Sequence, residues 1–179
     1  MNRAPTKMTF DKKLHHRRSI RLPGYDYAQS GAYFVTICVE NRACLFGTAT
    51  HGTIQLTEAG RTVQDQWLAL PSRFSQIGLD GFIVMPNHIH GIVLVGAQFI
   101  APSDSLPHSR AEAGAMNYAP TLGEIIRAYK AVSARAIRCV GYVDFKWQRN
   151  YYEHIIRDED SLNRIRQYRA TIKKSGKRK

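Results

Sequence analysis

Apolar positions recur along this chain at two periods, and the change from one to the other marks out its elements. From Ala32 to Glu40 the run AYFVTICVE is β-branched and aromatic, the composition of a central strand. Gly52 to Leu56 alternates briefly, as a short strand does. Thr57 to Leu70 then shifts to helical spacing through Ala59, Val63 and Trp67, with Thr57 placed to cap it and Pro71 following. Two further apolar runs, Phe82–Met85 and His88–Val95, are separated only by the turn dipeptide Pro86-Asn87 and predict adjacent strands. Gly96 to Pro120 is rich in Ala, Ser, Pro and Gly, has no period, and is expected to be a mobile loop. Thr121 to Val140 reads as a long amphipathic helix and Phe145 to Gln148 as a short strand. Asp158 to about Lys174 closes the pattern as a helix with acids in its first turn.

Strands in pairs interleaved with helices predict an α+β sandwich: one antiparallel sheet with helices packed on one face, the ferredoxin-like layout. A chain of 179 residues suits one domain with a real core. We expect that domain over residues 25–174, with 96–120 as its mobile loop, between a basic arm (1–24) and a basic tail (175–179).

Charge changes the picture more than composition does. The formal net charge is +12, which favours a polyanionic partner, nucleic acid before an anionic membrane surface. No apolar run approaches the length of a membrane span, and the basic N-terminus lacks the apolar stretch of a secretory signal. Cys38, Cys44 and Cys139 form no C-x-x-C pair and read as free thiols of a reducing, cytoplasmic setting. Lys12, Lys13, Arg17, Arg18 and Arg21 crowd the arm, while Arg127 and Lys130 lie on the long helix. Each is a candidate phosphate contact or a solvated surface charge.

The candidate chemistry lies in Met85-Pro86-Asn87-His88-Ile89-His90-Gly91. A strand alternates its side chains, so His88 and His90 project from one face with Ile89 on the other. Two imidazoles side by side on a strand can share one divalent ion, or can be ordinary polar-face residues. Asn87 can orient a histidine or simply make the turn. Tyr168, on the last helix, is an oxygen nucleophile or a packing residue. With an intrinsic pKa of about 10 it needs a cation nearby to act as phenolate.

Four blocks carry a family resemblance: Arg18-Ser19-Ile20-Arg21-Leu22-Pro23-Gly24-Tyr25-Asp26-Tyr27, Gly31-Ala32-Tyr33-Phe34-Val35-Thr36-Ile37, Val84 through Gly91, and Trp147 through Arg157. In this order they resemble the REP-associated tyrosine transposases, which are single-tyrosine HUH enzymes (histidine, hydrophobic residue, histidine). The resemblance implies a ferredoxin-like catalytic domain that binds single-stranded DNA folded into hairpins. It further implies metal-dependent nicking and religation, with Mg2+ or Mn2+ as cofactor, through a tyrosine joined to the 5′ phosphate. His88 and His90 match the metal pair and Tyr168 the nucleophile, with Tyr151 or Tyr152 as second choices; Arg149, in the fourth block, joins the candidate DNA contacts. Exchange of one phosphoester for another retains the bond energy, so no nucleotide cofactor is expected. The resemblance favours a monomer over a homodimer.

One departure stands out. Relatives place a polar amide four residues after the tyrosine as third metal ligand, and here that position is Ile172. The family's further tail is also missing, which predicts a shortened copy with impaired catalysis and better preserved DNA binding. Three readings follow: a strand transferase, a catalytically silent hairpin-binding relative, and an RNA-binding ferredoxin-like domain. The last lacks its aromatic strand signature. Tyr25 and Tyr27 are candidates to stack on unpaired bases or to anchor the arm to the core.

Overall fold

The computed structural model describes residues 25, 30–50, 53–96 and 120–174, with side chains to residue 167. Four strands form one antiparallel sheet in the order β4-β5-β1-β6. The central strand β1 (Gly31–Cys38) pairs with β5 (His88–Val95) on one side and β6 (Tyr152–Ile156) on the other. Beyond β5 lies β4 (Ile77–Met85), joined to it by the Pro86-Asn87 turn. Helix α1 (Glu58–Leu68) leads into β4, and α3 (Leu122–Cys139) lies between β5 and β6 in the chain. This β-α-β-β-α-β order with the first strand central is the ferredoxin-like arrangement. A two-stranded ribbon of β2 (Gly47–Thr50) and β3 (Thr53–Leu56), the short helix α2 (Leu70–Arg73) and the final helix α4 (Glu159–Lys174) complete it.

Strand alternation sorts the sheet into two faces. Tyr33, Val35 and Ile37 of β1 and Ile89, Val93 and Val95 of β5 point to the side covered by α1 and α3. There they meet Val63, Trp67, Ile125, Ile126, Tyr129 and Ile137 in the main core. Gly91 belongs to this side because a β-carbon there would lie 2.2 Å from the Trp67 ring. Only glycine lets the indole sit flat on β5. Trp67 also stacks on Phe82 with centroids 5.0 Å apart and meets Tyr129 edge-on at 5.2 Å. Two polar groups in this core are joined, Trp147 Nε1 donating to Ser133 Oγ (3.0 Å) and Tyr129 donating its hydroxyl to Val63 O (3.2 Å), whereas Trp67 Nε1 is buried with no hydrogen-bond partner among the described residues.

Helix ends follow their caps. Thr57 Oγ1 accepts from Gly60 N (3.1 Å), and Thr121 with Glu124 closes a reciprocal capping box at the start of α3.

The opposite face is covered differently. Ala32, Ile92 and Ile156 form a small second cluster under Leu162 and Ile165 of α4. Two helices therefore share one face as expected, and the last crosses the other. Arg166 of α4 pairs with Asp80 of β4, its Nε 3.0 Å from Oδ2.

The fourth strand is not where the sequence pattern places it. Phe145 to Gln148 makes only an isolated bridge, Val39 with Trp147, and β6 is Tyr152–Ile156. Phe145 and Trp147 are apolar because they plug the core, not because they pair. The true edge strand, YEHII, carries charge and exposed positions that conceal it. β4 also begins earlier than its apolar run, at Ile77, because a bulge between Leu79 and Phe82 interrupts the alternation. The expected loop lies, apart from its end residues, outside the described residues, as do the arm up to residue 24 and the tail from 175.

Candidate functional site

His88 and His90 open β5 immediately after the Pro86-Asn87 turn, on the face away from the main core. Both are half-buried. Their Nε2 atoms converge at 3.0 Å. Each Nδ1 is held by a neighbour: Asn87 Oδ1 at 2.6 Å for His88 and Thr36 Oγ1 at 2.8 Å for His90. Asn87 donates its Nδ2 to Arg42 O (3.2 Å), which leaves Oδ1 to accept from His88 Nδ1 and sets the His88 lone pair on Nε2. Thr36 is the cross-strand partner of His90 in β1, so sheet register supplies this second contact. Phe34 stacks on the His90 ring with centroids 5.2 Å apart and fixes its plane.

This donor set fits a divalent ion. Two nitrogens about 2.1 Å from one ion and at right angles are about 3.0 Å apart, as neighbouring ligands of an octahedral ion are. Held Nδ1 atoms and converging Nε2 atoms are what a histidine ligand pair requires. Electrostatics agree, since the ligating form is neutral imidazole. His88 is shifted below its ordinary range by burial and then by the charge of Arg42; His90 is pushed down to about 4 by burial and then by His88. Among the described residues, no group of three His, Cys, Asp or Glu forms a ligand set, so other positions would fall to water or to groups outside them.

The remaining sequence-predicted residues are distributed unevenly. Tyr168 lies within α4, but its side chain is outside the described residues, as are Arg17, Arg18, Arg21, Tyr27 and the side chain of Ile172. Leu162 and Ile165 set α4 on the histidine face of the sheet. Tyr151 packs against the main core on the other face, whereas Tyr152 pairs with Thr36 and is 52% exposed. Tyr152 thus shares a row with Thr36 and His90, two strands or about 10 Å from the latter. Tyr25 anchors to the core, its hydroxyl 3.4 Å from that of Tyr33.

Arg127 and Arg149 are exposed. Lys130 is engaged elsewhere: its ammonium donates to the carbonyls of Gln148 (2.5 Å), Arg149 (3.0 Å) and Asn150 (3.4 Å) and ties down the approach to β6. Thr36 and Arg42 carry no sequence signal as site residues, because only strand pairing and a turn bring them to the histidines.

No family model matches the chain. An uncharacterized protein of Haemophilus influenzae is 40% identical over 160 residues, covering 89% of each chain. The chain belongs to the same family as that protein. A solved REP-associated tyrosine transposase bound to a REP hairpin aligns with a TM-score of 0.55 at 17% identity, covering 86% of this chain and 72% of that one. The family member described here therefore has the fold of a REP-associated tyrosine transposase. No helix of its described residues is long and apolar enough to cross a membrane.

Proposed function

We propose that this protein is a metal-dependent strand transferase for single-stranded DNA that acts at hairpin sequences through a 5′-phosphotyrosine. The observation that carries this reading is the pair of imidazoles converging at 3.0 Å with both Nδ1 atoms held, on the face of a transposase-like sheet that α4 crosses. The net charge of +12 suits a phosphate backbone, and the solved neighbour of the same fold is bound to a REP hairpin.

His88 and His90 would hold Mg2+ or Mn2+, which when bound neutralises charge on the scissile phosphate. Tyr168 is the nucleophile in this reading. Its oxygen forms a bond to phosphorus as the bond from phosphorus to the 3′ oxygen breaks, and the phenol proton passes to the departing 3′ oxygen through water. Thr36 and Asn87 keep the rings in register.

A second reading has a specific basis. Ile172 stands where the resemblance requires an amide ligand, which favours a silent hairpin-binding protein derived from such an enzyme. The test is incubation with labelled single-stranded hairpin DNA and Mn2+, read on a denaturing gel. We expect a covalent protein–DNA band that is lost with EDTA, with His88→Ala and with Tyr168→Phe. Tight, salt-sensitive binding with no band would establish the silent reading. A band that survives Tyr168→Phe would move the nucleophile to Tyr152, the alternative tyrosine on the histidine face.

A further inference from the structure

The turn after β1 brings the backbone of an arginine, through Asn87, to the histidine pair. Glu40–Arg42 form one tight turn in which Asn41 and Arg42 both have positive φ, 55° and 54°. Asparagine tolerates that region through its short polar side chain, while arginine has no such compensation. Strain of this kind persists only where its surroundings impose it, and it clusters at functional sites.

Here the surroundings are explicit. Arg42 N donates to Val39 O (3.0 Å), Glu40 N to Lys146 O (3.0 Å), and Val39 N and Phe46 N to Asn87 O and Pro86 O (both 2.9 Å). The segment from Val39 to Phe46 therefore brackets the turn that opens the histidine strand. Arg42 O accepts from the Asn87 side chain, whose other end accepts from His88. One amide thus couples the Arg42 backbone to a ring of the pair. The Arg42 side chain is exposed, and the salt bridge among the described residues joins Arg166 to Asp80, leaving Arg42 without a carboxylate partner there.

We propose that Arg42 is a phosphate-contacting residue of the strand-transfer site, its guanidinium gripping a non-bridging oxygen of the scissile phosphate beside His88. A planar fork of donors matches two phosphate oxygens at once, which a lysine ammonium does not. The strained turn holds the Arg42 backbone one side chain, that of Asn87, from a metal ligand. The proposal rests on the strand-transfer reading given above.

The test uses the full chain, Mn2+ alone followed by electron paramagnetic resonance, and a fluorescent single-stranded hairpin whose affinity is measured in Mn2+ over a salt series. For Arg42→Ala we expect unchanged melting, Mn2+ binding at least as tight as in the parent, hairpin affinity about tenfold weaker, and a salt slope smaller by about one. Arg42→Lys should restore the slope and only part of the affinity. In an Arg42→Ala/His88→Ala cycle the two losses should be non-additive, as for neighbours on one phosphate. Unchanged hairpin affinity in Arg42→Ala overturns the proposal, and so does strict additivity, which marks a general surface charge. Loss of Mn2+ binding in Arg42→Ala also overturns it, since the residue would then act by positioning His88. If the parent protein itself binds no Mn2+, the strand-transfer reading fails first and this proposal with it.

Discussion

The two faces of the sheet are made by alternate residues of the same strands, yet they answer different demands. On the helix-covered face, Tyr33, Val35, Ile37, Ile89 and Val93 are fully buried and pack around Trp67 and Tyr129. On the other, Thr36, His88, His90 and Tyr152 remain partly or largely open, and a smaller apolar cluster is reserved for α4. Stability is concentrated on the first face, which leaves the second free to carry polar groups that a core would exclude. The two are joined at β5, where His90 precedes Gly91. The imidazole is positioned by a strand whose other side is pressed against an indole.

Substitutions on the two faces should therefore separate stability from binding. Trp67→Ala removes the largest fully buried side chain and leaves a cavity against Gly91 and Phe82. A loss of about 3–5 kcal/mol is expected in urea unfolding, with Mn2+ affinity unchanged wherever the variant remains folded. A loss below about 1 kcal/mol would break the comparison, since the indole would then not anchor the histidine strand.

Asn87→Ala should show the reverse pattern. Titration with Mn2+ is expected to give about 10–100-fold weaker binding, because the His88 ring loses the acceptor that fixes its tautomer, while melting moves little. Unaltered Mn2+ affinity would mean that the turn alone orients His88.

The smallest effect is expected for Arg166→Ala. The pair with Asp80 ties α4 to β4 but is solvent-accessible, so its removal should cost below about 1 kcal/mol and less still in high salt. A larger, salt-insensitive loss would show that the open face contributes to stability as the closed one does.

Much of this architecture was legible in the pattern of residues. The β5 histidines, the Pro86-Asn87 turn, the cap of α1 and the length of α3 stand where periodicity and turn chemistry place them. Alternation alone put His88 and His90 on one face, because side chains two apart on a strand have no other choice. The strand at Tyr152–Ile156 was hidden because an edge strand keeps charged and exposed residues, and Phe145–Gln148 imitated one because a core plug is equally apolar. The three carbonyls around the Lys130 ammonium were not legible, because a sequence shows a charge without showing what surrounds it.

Local chemistry thus determined which side chains are present, their period and the face they share. Tertiary structure decided their company. The register of β1 against β5 sets Thr36 beside His90, and the turn from Glu40 to Arg42 brings an arginine, through Asn87, to His88. Those partners lie more than forty positions apart in the chain, and only strand pairing, with the burial of the opposite face to drive it, makes them neighbours.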